Sequence, residues 1–95
     1  MAFYLYSETA FHHQGDLAYL KRLIDLSAKC GAQGVKFQVL TDLDYLISSK
    51  HSQYQLVGDE MLTLDEWKEA LTHCTSKALD IIFMPINPTA LDFLY

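Results

Sequence analysis

The period of apolar and polar positions changes several times along the chain, and each change marks an element. Residues 2–7, AFYLYS, form a short aromatic and apolar run that predicts a first strand, centred on 3–7. ETAFHHQG then reads as a loop. From Asp16 onward Leu17, Leu20, Ile24 and Ala28 recur at helical spacing, Leu23 widens the stripe, and Lys21, Arg22, Asp25 and Lys29 fall mostly outside it. This spacing predicts a helix over 16–30, with Asp16 as N-cap and Gly31 as the left-handed stop.

GVKFQVL, residues 34–40, returns to a period of two, which predicts a strand over 35–39. Val35, Phe37 and Val39 lie on one face, and Lys36 and Gln38 on the other. In residues 41–62, DLDYLISS suggests a short helix and HSQYQLVGDEML a loop or a further helical turn. The next helix is the clearest local signal. Thr63 and Glu66 make a capping box, and Leu62 and Trp67 are spaced as a hydrophobic staple. Trp67, Ala70, Leu71, Cys74 and Ala78 supply a buried stripe, predicting a helix over 64–78. DIIFMP, residues 80–85, is a third strand centred on 81–84, and Asn87-Pro88 reads as N-cap plus first-turn proline of a helix TALDFLY.

The order is β-α-β-α-β-α, which predicts a parallel sheet covered by helices and joined by right-handed crossovers. Residues 1–95 are expected to form one partial domain, the first three βα units of a larger fold or a short form that covers its open edge by self-association. The final helix breaks off on the apolar Phe93, Leu94 and Tyr95, which supports that expectation.

Composition narrows the class. The chain is 51% hydrophobic and 20% charged, as in a folded soluble protein. A net charge of −5 and seven scattered basic residues argue against a nucleic-acid partner, which would require a basic stripe. Cys30 and Cys74 make neither a disulfide framework nor a metal site, and both are expected to be small buried thiols. No signal peptide or membrane-length apolar run is visible, so the expected location is the cytoplasm, with no membrane partner.

The candidate chemistry centres on Lys36. If Val35, Phe37 and Val39 pack against helices, Lys36 and Gln38 point into a barrel, and a buried lysine there needs an anionic partner or ligand. Otherwise Lys36 sits at a sheet edge and its ammonium reaches water. Glu8, at the end of the first strand, is its natural partner, or else a solvated loop acid. His12 and His13 follow at the same end of the sheet, where substrate contact or loop packing suits them better than a shared metal. His51 and His73, in polar surroundings, are expected to be exposed.

A family resemblance begins at these residues. SETAFHHQGD, residues 7–16, resembles the opening of the sialic acid synthase family, A-E-I-G-x-N-H-N-G-D, with Glu8, His13, Gly15 and Asp16 matching. His12 and Gln14 stand where that family has asparagine. CGAQGVKFQ resembles its A-G-A-D-A-V-K-F-Q, with Lys36, Phe37 and Gln38 in place. SQYQ is similar to its S-x-Y-E, and IIFMPINPTALDFL to its F-x-S-T-P-F-D-x-x-S-x-D-F-L, keeping Pro85, Asp92, Phe93 and Leu94. Three features depart from the pattern. Residues 38–52 are shorter than usual and lack a substrate-contacting asparagine, Phe83-Met84 replace a serine-threonine pair, and Ile86-Asn87 replace phenylalanine and aspartate.

The resemblance implies the N-terminal part of a TIM (β/α)8 barrel, in an enzyme that condenses phosphoenolpyruvate with an N-acetylated amino sugar to a nonulosonic acid. In that reaction the enol carbon attacks the sugar aldehyde, and water attacks the resulting oxocarbenium ion to release phosphate. It implies Glu8 and Lys36 as catalytic residues, with Lys36, Gln38 and His13 binding substrate. It also implies a divalent metal, Mn or Mg, whose ligands lie outside these 95 residues, so that the chain alone is expected to be inactive. A homo-oligomer is expected. The altered third-strand motif and the short second loop keep open two alternatives: a non-catalytic barrel that binds sugar or phosphate, and an inactive self-associating fragment.

Overall fold

The computed structural model describes residues 3–94. The elements are β1 (Tyr6–Glu8), α1 (Leu17–Lys29), β2 (Gly34–Val39), α2 (Leu43–Leu46), α3 (Tyr54–Asp59), α4 (Leu64–Ser76), β3 (Asp80–Pro85) and α5 (Pro88–Leu94). The strands form one parallel sheet in the order β1-β2-β3, as the alternation of strands and helices predicts. Three parallel strands with helices on one face make three units of a β/α barrel, where eight strands close one.

The alternation in β2 decides which face carries the core. Val35, Phe37 and Val39 are fully buried against Leu20 and Ile24 of α1, Trp67, Ala70 and Cys74 of α4, and Ala90 of α5. Burial of these side chains contributes on the order of 2 kcal/mol each. Lys36 and Gln38 therefore stand on the opposite, helix-free face, where Ile82 and Met84 of β3 lie opposite them in register.

The local signals act as their chemistry requires. The Asp16 carboxylate accepts from the Tyr19 amide at 3.0 Å, and Gly31 follows α1 at φ +84°. At α4 the Thr63 hydroxyl accepts from the Glu66 amide at 3.1 Å and the Glu66 carboxylate accepts from the Thr63 amide at 2.9 Å, completing the capping box.

Several expectations are corrected. The first strand runs over Tyr6–Glu8 rather than over 2–7, because its neighbour β2 starts at Gly34, opposite Tyr6. Before that point Gln33 takes over the ladder: its amide donates to the Leu5 carbonyl and its side chain accepts from the Leu5 amide, both at 2.7 Å. Ala2, counted in that strand, lies outside the described residues, as does Tyr95 of the final helix. Helix α4 ends at Ser76, because Ala78 turns to φ +58° and is exposed instead of extending the buried stripe. The segment 41–62 contains two short helices, α2 and α3. Cys74 is buried as expected, whereas Cys30, at the C-cap of α1, is exposed.

Candidate functional site

The helix-free face of the sheet gathers the polar side chains. Glu8 is the last residue of β1 and pairs in register with Lys36. Its Oε2 lies 3.2 Å from Lys36 Nζ. The carboxylate is held from its other side, where the Ala10 amide donates to Oε1 at 2.9 Å. Ala10 itself adopts φ +46°, so the chain bends sharply back over the acid it has just placed. Thr9 tightens the same junction: its amide and hydroxyl both donate to the Lys36 carbonyl, at 3.1 and 2.9 Å. An acid at the C-terminal end of β1 and a lysine midway along β2 are thereby fixed side by side on adjacent parallel strands. Barrel enzymes carry their functional groups toward the C-terminal ends of such strands.

Lys36 is neither a free buried cation nor a lysine reaching from a sheet edge. It lies on the central strand, its side chain 28% exposed and that of Glu8 40% exposed. Water thus reaches the pair, and an anion can approach the ammonium without first breaking a buried ion pair. Gln38 follows two residues along the same face, half-buried, with the thioether of Met84 opposite it in register.

His13 is not among these groups. Its ring is 2% exposed and packs edge-on to Trp67, with ring centres 5.6 Å apart, on the helix side of the sheet. The Gly15 amide donates to His13 Nδ1 at 3.0 Å. Burial holds the imidazole below its usual pKa, with Glu66 pulling weakly the other way. His12 is exposed, its Nε2 3.0 Å from the Tyr19 hydroxyl. His51 is exposed as expected, but His73 is half-buried and bonded through Nε2 to Asp25 Oδ1 at 2.7 Å, tying α4 to α1.

Tyr4 and Asn87 make further polar contacts that were not foreseen. At the N-terminal end of the face the Tyr4 hydroxyl crosses Gly34 to donate to Asp80 Oδ2 at 3.0 Å. A Cβ at Gly34 would run into that hydroxyl and sit 3.1 Å from the Asp80 carbonyl oxygen, so glycine is needed there. At the other end, buried Asn87 turns its side chain away from the capping role that its sequence context suggests. Its Oδ1 accepts from the Thr41 amide at 2.9 Å, and its Nδ2 donates to the Thr41 and Thr89 hydroxyls, both at 2.7 Å. This cluster ties the exit of β2 to the start of α5. An asparagine before proline marks a helix start in sequence but says nothing about a partner 46 residues away.

Among the described residues no group of three or more histidine, cysteine, aspartate or glutamate side chains is placed to hold a metal ion. Among the described residues no helix is long and apolar enough to cross a membrane.

A parallel β/α partial barrel with an acid–lysine pair on its helix-free face is the class that this geometry defines. Its structural neighbours include a sialic acid synthetase and two spore coat polysaccharide biosynthesis proteins. The sialic acid synthetase, from Leptospira borgpetersenii serovar Hardjo-bovis and solved with citrate, matches at a TM-score of 0.85 and 21% identity, over 97% of this chain and 33% of its own. The spore coat polysaccharide biosynthesis protein E from Chromobacterium violaceum matches at 0.78 and 18% identity, over 97% of this chain and 31% of its own. Its counterpart spsE from Bacillus subtilis matches at 0.68 and 26% identity, over 96% and 26%. In sequence, an uncharacterized protein of Methanocaldococcus jannaschii is 29% identical over 91 residues, which are 96% of this chain and 27% of that protein. No family model matches. The chain thus spans between 26% and 33% of the lengths of these proteins.

Proposed function

We propose that this chain forms part of a carbohydrate-biosynthesis enzyme that condenses phosphoenolpyruvate with an N-acetylated amino sugar to a nonulosonic acid. The observation that carries the reading is the Glu8–Lys36 pair on the helix-free face, with Gln38 beside it on β2. The names of the structural neighbours point the same way.

In this reading the Lys36 ammonium supplies positive charge to the phosphoenolpyruvate anion. Glu8, clamped by the Ala10 amide, holds the ammonium in place until the anion arrives. A ligand carboxylate or phosphate then shares or takes over the lysine's hydrogen bonds, a charge-assisted contact stronger than one between neutral groups. Gln38 offers an amide donor and acceptor for sugar hydroxyls. A divalent metal would serve to polarise the sugar aldehyde, held by side chains outside these 95 residues. Self-association belongs to the same proposal, since β1 and β3 each present an unpaired edge among the described residues, with exposed Leu5, Tyr6 and Met84 nearby.

The test is phosphate release from phosphoenolpyruvate with N-acetylmannosamine and Mn2+, using the complete protein together with any sequence continuous with these residues. Release that depends on both substrates supports the synthase. Met84 favours a second reading, a barrel that binds without turnover, because an apolar thioether beside Gln38 offers nothing to a phosphate or a hydroxyl. Saturable phosphoenolpyruvate binding with no phosphate released would select that reading.

A further inference from the structure

A cavity stands apart from the Lys36 face. It has a volume of about 120 Å3 and lies on the helix side, between the β1–α1 loop, the α2–α3 segment and α4. Phe11, His13, Leu46, Val57, Leu62 and Trp67 are among the residues that wall it. An apolar cavity of about 150 Å3 in another protein takes up benzene, so this space suits a group of that order of size.

The wall is apolar apart from His13, Trp67 and Glu60. His13 and Trp67 are 2% and 1% exposed. His13 Nε2 and Trp67 Nε1 are buried without a hydrogen-bond partner among the described residues. Because the Gly15 amide donates to Nδ1, a neutral His13 ring carries its proton on Nε2. Indole nitrogen is only ever a donor. Both orphaned groups are therefore N–H donors, and neither can satisfy the other. The perpendicular packing of the His13, Trp67 and Phe37 rings offers at best a weak N–H to ring-face contact in place of a hydrogen bond. An unmade bond at a buried donor is costly, so an acceptor brought to this wall gains more than one met in water. The Glu60 side of the cavity disfavours an anion, which makes a neutral acceptor the better match.

We infer that this cavity is a binding site for a small, neutral, largely apolar ring or branched group bearing one hydrogen-bond acceptor, which pairs with His13 Nε2–H. The site is independent of the proposed synthase chemistry, because Trp67 separates it from β2 by packing on the core face of Phe37.

Trp67 is the single tryptophan of the chain, so one indole N–H resonance in a 1H–15N spectrum reports on the wall directly. Phenol and toluene serve as probes of equal ring size with and without an acceptor. The expected result is a saturable shift of the Trp67 indole signal with phenol, and binding about tenfold weaker with toluene, the equivalent of one hydrogen bond. His13→Phe keeps a ring but removes the donor, and should bring the two probes to equal affinity. Val57→Phe fills the space and should abolish both shifts. A linear, unsaturable response to phenol overturns the site, as does a response undiminished in Val57→Phe. Equal binding of phenol and toluene by the native chain overturns the role of His13, and that comparison stands even if His13→Phe does not fold.

Discussion

Glu8 and Lys36 meet across the first ladder of the sheet, Oε2 to Nζ at 3.2 Å, with the carboxylate's other oxygen taken by the Ala10 amide. The pairing decides what removing the lysine does to the fold. Lys36→Met strands a carboxylate, but one that is 40% exposed and keeps its backbone donor. Exposed ion pairs contribute at most about 1 kcal/mol. Lys36→Met is therefore expected to lower stability by less than about 1 kcal/mol in urea denaturation. An increase in stability would mean that the ammonium is a burden on the free protein and not a partner of Glu8.

The capping box of α4 gives a local prediction. Thr63→Ala removes the acceptor for the Glu66 amide and should cost about 1 kcal/mol. Thr63→Ser should be close to neutral, because serine caps at least as well. Urea midpoints of the two variants check this, and equal loss in both would show that the methyl group matters and the cap does not.

His13 and Asp25 contribute to the acid side of the stability profile in separate pH windows. Burial depresses the pKa of His13 from its ordinary 6.5, so the unfolded chain binds a proton that the folded chain refuses. That contribution is fully present above pH 6.5 and is lost as pH falls toward the folded value. Asp25 is depressed below its ordinary 3.8, chiefly by the hydrogen bond from His73 and with help from Lys77, against a smaller desolvation effect. Its contribution is lost only below pH 3.8. Melting temperature should therefore fall in two steps on acidification. His13→Phe should flatten the first step and Asp25→Asn the second; a first step that persists in His13→Phe would contradict the assignment.

Gly34 couples the sheet to Tyr4. Gly34→Ala should push the Tyr4 hydroxyl off Asp80 and cost on the order of 1–3 kcal/mol, the usual scale of overpacking. The Tyr4 hydroxyl, held above its ordinary value of 10.0 by desolvation and then by Asp80, should titrate closer to that value in the variant. If the titration is unchanged, the hydroxyl has not left the carboxylate and the clash has been absorbed elsewhere.

Much of this was legible in the sequence, and the parts that were not share a physical cause. Val35, Phe37 and Val39 against Lys36 and Gln38 define the two faces of β2, because side chains alternate on a strand whatever surrounds it. Asp16, Gly31 and Thr63 act within a few residues of themselves and were equally plain. Contacts between distant residues were not. Ser7 and Ser27 hydroxyls bond at 2.7 Å, Tyr4 reaches Asp80, and Asn87 forsakes its own helix for Thr41. His73 looked like a surface residue until α1 brought Asp25 beside it. The loop that carries His13 folds over the top of the core, so a histidine expected beside the substrate lies under Phe11 and against Trp67. Ala78 fitted the apolar period of α4, but a left-handed turn after Ser76 ended the helix first.

The open edges of the sheet predict association. Light scattering of the 95-residue chain at increasing concentration should show mass above the 10.9 kDa monomer. A constant monomer mass at high concentration would mean that the exposed edges of β1 and β3 do not pair with other chains.

The central claim is that the Lys36 ammonium receives an anion, and calorimetric titration of phosphoenolpyruvate into the complete protein tests it most directly. The native protein should bind, and Lys36→Met should lose about 2 kcal/mol of affinity, roughly thirtyfold, as when a charged hydrogen-bond partner is removed. Native-like phosphoenolpyruvate affinity in Lys36→Met, whatever its stability, would contradict the account.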